Sequence, residues 1–161
     1  MEKNLTFRFE VREKDIQRVR ELAESSGFFY PDEVDVAVEL VEERLAKGDA
    51  SGYFFIFAEI DEITAGYTCF GPIPCTKTSF DLYWIVTHND FRGKGIGKQL
   101  LALTSQVIRE MKGHKLYAET SSRQQYLPTQ KFYEKNDFEK EAQIKDFYDS
   151  GDDKIIYGRK V

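Results

Sequence analysis

Cysteine is scarce in this 161-residue chain: Cys69 and Cys75 are the only two. Two thiols cannot build the multi-bridge framework of a small secreted scaffold, and MEKNLTFRFE lacks a charged-then-apolar leader, so a cytoplasmic protein is expected. The two histidines, His88 and His114, lack the spacing of any metal motif, and no metal is expected. No apolar run approaches the ~20 residues that span a bilayer, and even GYFFIFAEI breaks at Glu59. Lysine and arginine number 23 against 28 aspartates and glutamates, a net charge of −5, which gives no global attraction to nucleic acid or an anionic membrane. Repeats, low-complexity tracts and Pro/Gly/Ser-rich linkers are also missing, so residues 1–161 are expected to form one domain, long enough to bury a sizeable core.

What is present alternates between two periods. FRFEV has strand character, and a helix is predicted over Asp15 to Ser25 with Ile16, Val19 and Leu22 or Ala23 inward and Gly27 beyond its end. Pro31 opens a second helix with Asp32 and Glu33 in its first turn, Val34, Val38, Val41 and Leu45 as its apolar stripe, and Gly48 as its stop. GYFFIFAEI and ITAGYTCF predict a hairpin about Asp61 and Glu62, followed by the strand SFDLYWIVT. Ile96, Leu100, Leu103, Val107 and Met111 then recur at helical spacing. KLYAET is a strand, Pro128 starts a short helix through Lys135, and DFEKEAQI and KIIYGRK are strands joined by a polar turn around Asp149 to Asp153.

The most informative run is RGKGIG, Arg92 to Gly97, between SFDLYWIVT and the long helix. Glycines at 93, 95 and 97 predict positive φ and close backbone approach, so that several N–H groups converge on an anion at a helix N-terminus. Arg92, Lys94 and Lys98 add formal positive charge. A Walker loop would need glycine at Arg92 and a hydroxyl at Gln99; a dinucleotide GxGxxG would need glycine at Lys98. Neither pattern is met. What remains, [Q/R]xxGxG between a strand and a helix, resembles the coenzyme A loop of the GNAT superfamily of acyl-CoA-dependent N-acyltransferases. The element order β-α-α-β-β-β-α-β-α-β-β is similar to that family's over essentially the whole chain. The resemblance implies a mixed α/β sheet that splays between SFDLYWIVT and KLYAET.

That resemblance also implies roles. The pyrophosphate would rest on Arg92, Gly93, Lys94, Gly95, Ile96, Gly97 and Lys98, and the pantetheine arm would meet backbone groups of Ile85, Val86 and Thr87. Tyr126 stands where the family often has an asparagine that contacts pantetheine, Asn89 where it commonly has proline, and Asp137 where it prefers glycine. PTQKFYEKNDF resembles the family's second motif and places Tyr133 as the general acid. A phenol of pKa ~10 stays protonated at neutral pH and can donate to a thiolate whose conjugate acid has pKa ~8.5. Two carboxylates and a relay of water molecules compete for the base. Asp81 sits at a strand position that carries a catalytic glutamate in some members, on the face of Tyr83, Ile85 and Thr87; Glu119 lies near the C-terminal end of KLYAET, the crevice end of an open α/β sheet.

Acceptor recognition in the family falls to the first interhelical connection and the last hairpin, here GFFYPDE and KDFYDSGDD. Phe28, Phe29, Tyr30, Tyr83, Phe147 and Tyr148 with Asp32, Asp146 and Asp149 suit a small amine with apolar surface. Cys75 has no neighbour that would activate it, so direct attack in a ternary complex is expected rather than a covalent enzyme intermediate. The expected function is transfer of an acetyl group from acetyl-CoA to a small-molecule amine, with no nucleic-acid or membrane partner; a homodimer is compatible with the sequence. A non-catalytic acyl-CoA sensor and a protein N-acetyltransferase are the alternatives.

Overall fold

The structure is a computed structural model that describes residues 4–161. Residues 1–3 of the MEKNLTFRFE stretch lie outside that range. The strands are β1 (Leu5–Arg8), β2 (Phe54–Ile60), β3 (Ile63–Pro72), β4 (Ser79–Thr87), β5 (Lys115–Ser121), β6 (Glu139–Asp149) and β7 (Asp152–Lys160). The helices are α1 (Lys14–Ser25), α2 (Pro31–Lys47), α3 (Ile96–Glu110) and α4 (Leu127–Lys135), in the order the sequence predicts. The seven strands form one mixed sheet in the order β1-β2-β3-β4-β5-β7-β6. Contacts divide the chain into two compact units: residues 1–71 with 84–104, and residues 72–83 with 105–161.

In the first unit β1, β2 and β3 are antiparallel, and Ile60 pairs with Ile63 across a two-residue turn. Asp61 and Glu62 both have positive φ, 50° and 67°, which is the backbone a hairpin turn of this length favours. Strand β2 is buried on both faces, and Phe57, Tyr67, Ile56 and Phe70 are among the largest fully buried side chains. Val19, Leu22 and Ala23 of α1 and Val34, Ala37, Val38 and Val41 of α2 are buried. Leu45, predicted in the α2 stripe, is instead 37% exposed, because the helix is in its last turn there.

One buried residue of α1 is charged. Asp15 is fully buried and accepts from Arg8 Nη1 and Nη2 at 2.8 Å each, while its Oδ2 also takes the Arg12 amide at 2.7 Å. Arg8 Nε reaches Glu59 at 2.8 Å, so β1, β2 and the start of α1 are tied through one guanidinium. A buried carboxylate is tolerable only with such complete pairing.

The inward face of α3 differs from the predicted stripe. Ile96 and Leu100 are buried, but the face continues through Leu101, Thr104, Ser105 and Ile108, while Leu103 and Val107 are half-buried. Met111 lies beyond the helix and is 37% exposed. Two hydroxyls rotate the face: Thr104 Oγ1 and Thr68 Oγ1 of β3 share a hydrogen bond of 2.9 Å, and Ser105 Oγ accepts from Arg159 Nη2 at 2.9 Å. Hydrophobic periodicity cannot count a buried hydroxyl that has a partner.

In the second unit β4 runs parallel to β5, from Ser79 opposite Lys115 to Leu82 opposite Ala118. The ladder stops there, although β4 runs to Thr87 and β5 to Ser121. Strand β5 is antiparallel to β7 along its full length, and β7 to β6 with two irregularities. Strand β6 reaches Asp149, five residues past the end of DFEKEAQI, and is exposed throughout. Gly151 at φ 78° turns the chain into β7.

Candidate active site

The first unit carries the anion loop. Gly93 and Gly95 have φ of 74° and 75°, and a Cβ built on either meets no heavy atom within 4 Å. The glycines are therefore required by backbone conformation and not by crowding from this chain, which leaves the space in front of the loop open to a ligand. Gly97 does not share that conformation: it is the second residue of α3. Gln99 N donates to Gly95 O at 3.2 Å, and the amides that precede it in the first turn have no intrahelical acceptor. Arg92, Lys94 and Lys98 are exposed beside them. The Arg92 guanidinium lies 5.2 Å from the Phe28 ring centroid, and Lys94 Nζ 5.3 Å from that of Phe91. Open backbone, an exposed helix N-terminus and three cations fit a pyrophosphate.

The chain enters this loop through a fixed turn. His88 N donates to Ala65 O at 2.8 Å, and the Asn89 side-chain amide donates to the Ser25 carbonyl. Asn89 thus does by hydrogen bonding what proline does by ring geometry. Ahead of it, Ile85, Val86 and Thr87 end β4, with Val86 buried and its neighbours half-buried. Gly66 of β3 faces them, and a Cβ there would stand 2.7 Å from Val86 O and 3.2 Å from Thr87 Oγ1. This glycine, which the sequence reading passed over, is what allows β3 to lie so close behind that stretch; its one signal was an isolated glycine inside a strand pattern. Phe29 packs edge-on against Trp84 with centroids 4.8 Å apart, while Tyr30 precedes α2, 57% exposed, with its amide donating to Glu33 at 2.7 Å.

The second unit carries the remaining candidates. Tyr133 on α4 is 5% exposed, with its ring 5.0 Å from Phe138 and 5.5 Å from Tyr157. Its hydroxyl has no hydrogen-bond partner among the described residues, and burial, with Tyr157 beside it, pushes its pKa well above that of an ordinary phenol. The neighbouring Tyr157 hydroxyl is engaged: it donates to Glu134 Oε1 at 3.1 Å, and burial together with that carboxylate raises it to about 12. Tyr126 is buried in the 3-10 turn before α4, its ring 5.4 Å from the Arg123 guanidinium. That turn is pinned by residues the sequence did not single out. The Ser121 hydroxyl donates to Asp152, Arg123 Nε lies 3.1 Å from Asp152, and Gln130 Nε2 donates to Ser121 O at 3.1 Å.

Asp81 and Glu119 share a face of the β4–β5 ladder, since Asp81 pairs with Tyr117 and side chains alternate from there. Asp81 is half-buried, with no hydrogen-bond or ion-pair partner among the described residues. Burial raises its pKa, the nearby Glu119 raises it further, and Lys154 opposes both. Glu119 is 47% exposed and ion-paired with Lys154 at 2.7 Å. Tyr83 continues the Asp81 face.

The predicted acceptor hairpin is formed by the end of β6 and the start of β7. Asp146 has φ 53° and holds the hairpin: its carboxylate accepts the Gly151 amide at 2.7 Å, and its own amide donates to Asp153 at 2.9 Å. Phe147 and Tyr148 stack edge to face at 5.0 Å and are about half exposed, so they are not turned into a core. Cys75 is exposed and Cys69 buried. Among the described residues no group of three or more His, Cys, Asp or Glu side chains could hold a metal, and no helix is long and apolar enough to cross a membrane.

Residues 51–140 match the family model of the acetyltransferase (GNAT) domain. The fold superimposes on a crystal structure from Desulfovibrio desulfuricans assigned to the GNAT family of acetyltransferases, with a TM-score of 0.96 and 46% identity over 98% of this chain and 99% of that one. The ribosomal-protein-S18-alanine N-acetyltransferase of Escherichia coli has a TM-score of 0.77 at 14% identity, over 98% and 94% of the two chains. An aminoglycoside 6'-N-acetyltransferase complexed with coenzyme A has 0.78 at 15%, over 98% and 96%. At such identities these last two show the fold alone. No curated protein matches the sequence.

Proposed function

Because the chain belongs to the GNAT family of acetyltransferases, we propose that it is an acetyl-CoA-dependent N-acetyltransferase, a single catalytic domain over residues 1–161 that acts on the amine of a small molecule. The observation that carries the reading is the Arg92–Gly97 loop: two positive-φ glycines with open space beside them, at a helix N-terminus flanked by three exposed cations. A similar fold is known in complex with coenzyme A. Acetyl-CoA, when bound, supplies the acetyl group as a thioester.

In this reading the amides of Gly93 to Lys98 hold the pyrophosphate, with Arg92, Lys94 and Lys98 adding charge. Backbone groups of Ile85 to Thr87 align the pantetheine arm and donate to the acetyl carbonyl as negative charge develops on its oxygen. An alkylamine arrives as ammonium at neutral pH and must lose a proton to become nucleophilic. Asp81 is the better acceptor of that proton, since its carboxylate is unpaired and its affinity for a proton is raised, whereas Glu119 would have to give up Lys154. Tyr133 remains protonated throughout the working pH range, and its unpartnered hydroxyl supplies a proton or a strong hydrogen bond to the departing thiolate. The exposed aromatics Tyr30, Phe147 and Tyr148, with Phe29 and Tyr83, receive the acceptor.

Thiol release from acetyl-CoA across a library of small amines tests this, with acetylation of peptide N-termini run in parallel. Turnover with small amines supports the reading. Turnover confined to peptides would make the protein a protein N-acetyltransferase, and tight coenzyme A binding without turnover on any amine would make it a sensor.

A further inference from the structure

Leu82, Ala118 and Tyr157 are register partners on one face of β4, β5 and β7, and α4 covers that face through Tyr133. The opposite face is ionic. It carries Asp81 and Tyr83 from β4, Lys115, Tyr117 and Glu119 from β5, and Lys154 from β7, which pairs with Ser121 two residues beyond Glu119. Lys115 is committed to Glu141 of β6, and β3 offers no charged side chain between Ile63 and Pro72.

Lys154 is held from two sides. Its Nζ lies 2.7 Å from Glu119 Oε2 and 4.2 Å from the centroid of Phe147 on β6, and the side chain is 15% exposed. A lysine so placed gives up most of its hydration and rotamer freedom, in exchange for one carboxylate and one ring face. We propose that Lys154 is a positioning residue: it ties Glu119 into an ion pair, leaves Asp81 as the unpaired carboxylate of that face, and so decides which of the two takes the proton from the acceptor amine.

The inference rests on the reading of Asp81 as base and adds what selects it. Without a cation, two carboxylates on adjacent strands compete for a single proton, and neither has a defined role. With Lys154 bound to Glu119, a proton bound for Glu119 must displace an ammonium, whereas Asp81 offers a free pair of oxygens. The aromatic partner matters too, because Phe147 fixes the ammonium from the edge strand, and a lysine lacking it would swing towards solvent.

Two readouts test this on the full chain. One is the titration of the Asp81 side-chain carboxyl followed by 13C NMR in the protein without substrates; the other is the pH profile of kcat/KM with an accepted amine. Lys154→Gln should move both the Asp81 titration and the acidic limb to higher pH, and Lys154→Arg should leave both near wild type. Glu119→Gln should move both to lower pH. An unmoved Asp81 titration in Lys154→Gln, or an equal shift in Lys154→Arg, overturns the role, since a merely structural lysine would lower Tm and leave the titration in place. If Lys154→Gln does not fold, Glu119→Gln still decides: no downward shift there overturns it. A titration that shifts while the limb stays fixed would show that Asp81 is not the base and would sink the selection claim, whereas loss of the loop's coenzyme A affinity alone would bear only on the acetyltransferase reading.

Discussion

Tyr133 and Asp81 belong to opposite faces of the same strands. Tyr133 packs on Tyr157, whose register partners Ala118 and Leu82 fix its face, and Asp81 adjoins Leu82 on the other side. The two cannot form a hydrogen-bonded couple within the ladder, so the base and the acid of the proposed mechanism would be separate groups, each with its own titration. That separation is what lets single substitutions divide their roles.

Tyr133→Phe removes one hydroxyl that has no hydrogen-bond partner among the described residues, so packing and Tm should barely change. Turnover should fall by about 10²-fold if proton donation contributes at its ordinary strength. Steady-state kinetics with coenzyme A affinity measured alongside would check it; equal turnover in both proteins would remove Tyr133 from the mechanism.

Asp81→Asn should abolish the acidic limb of the pH–rate profile and yet make the protein more stable at neutral pH. The sign follows from linkage. A carboxyl whose folded pKa is raised contributes stability below its unfolded pKa and loses it as pH rises through the folded value, so ionised Asp81 is a cost at pH 7. Thermal melts from pH 4 to 8 should show the variant's advantage growing with pH, and a variant less stable than wild type at pH 7 would contradict the unpaired placement.

Gly95→Val forces a β-branched residue into φ 75°, a strain of about 1–3 kcal/mol, and brings a side chain into the open space before the loop. Coenzyme A affinity should drop by roughly tenfold or more, as calorimetry would register, with the fold retained. Gly97→Ala is the contrast: at a helical position alanine is worth about 0.5–1 kcal/mol in stability. Arg92→Ala should weaken binding less than Gly95→Val, since the backbone donors remain.

Asp15→Ala leaves the Arg8 guanidinium, which is 8% exposed, with Glu59 as its one carboxylate partner and the Glu10 carbonyl as a neutral acceptor. The loss should be about 3–5 kcal/mol, visible as a large fall in the urea midpoint. Asp15→Asn, which keeps some of the hydrogen bonds, should lose less.

The sequence by itself determined the element order, the hairpin at Asp61 and Glu62, and the strand, loop and helix around Arg92 to Gly97, because each rests on local rules: alternation, helical spacing, and glycine where a carbon branch would clash or strain. The same locality explains the misses. The inward face of α3 turns on Thr104 and Ser105, whose partners Thr68 and Arg159 lie 36 and 54 residues away. The burial of Asp15 depends on Arg8, and Glu119 stands apart from Asp81 only because β7 returns Lys154 beside it, 35 positions along the chain from Glu119. Strand β6 runs five residues beyond the DFEKEAQI stretch because an edge strand can be exposed along its whole length, and exposure gives no alternation to read. Which chemical group stands at which position was legible; which of two like carboxylates is left unpaired was not, because charge pairing is set by strands that only the folded sheet brings together.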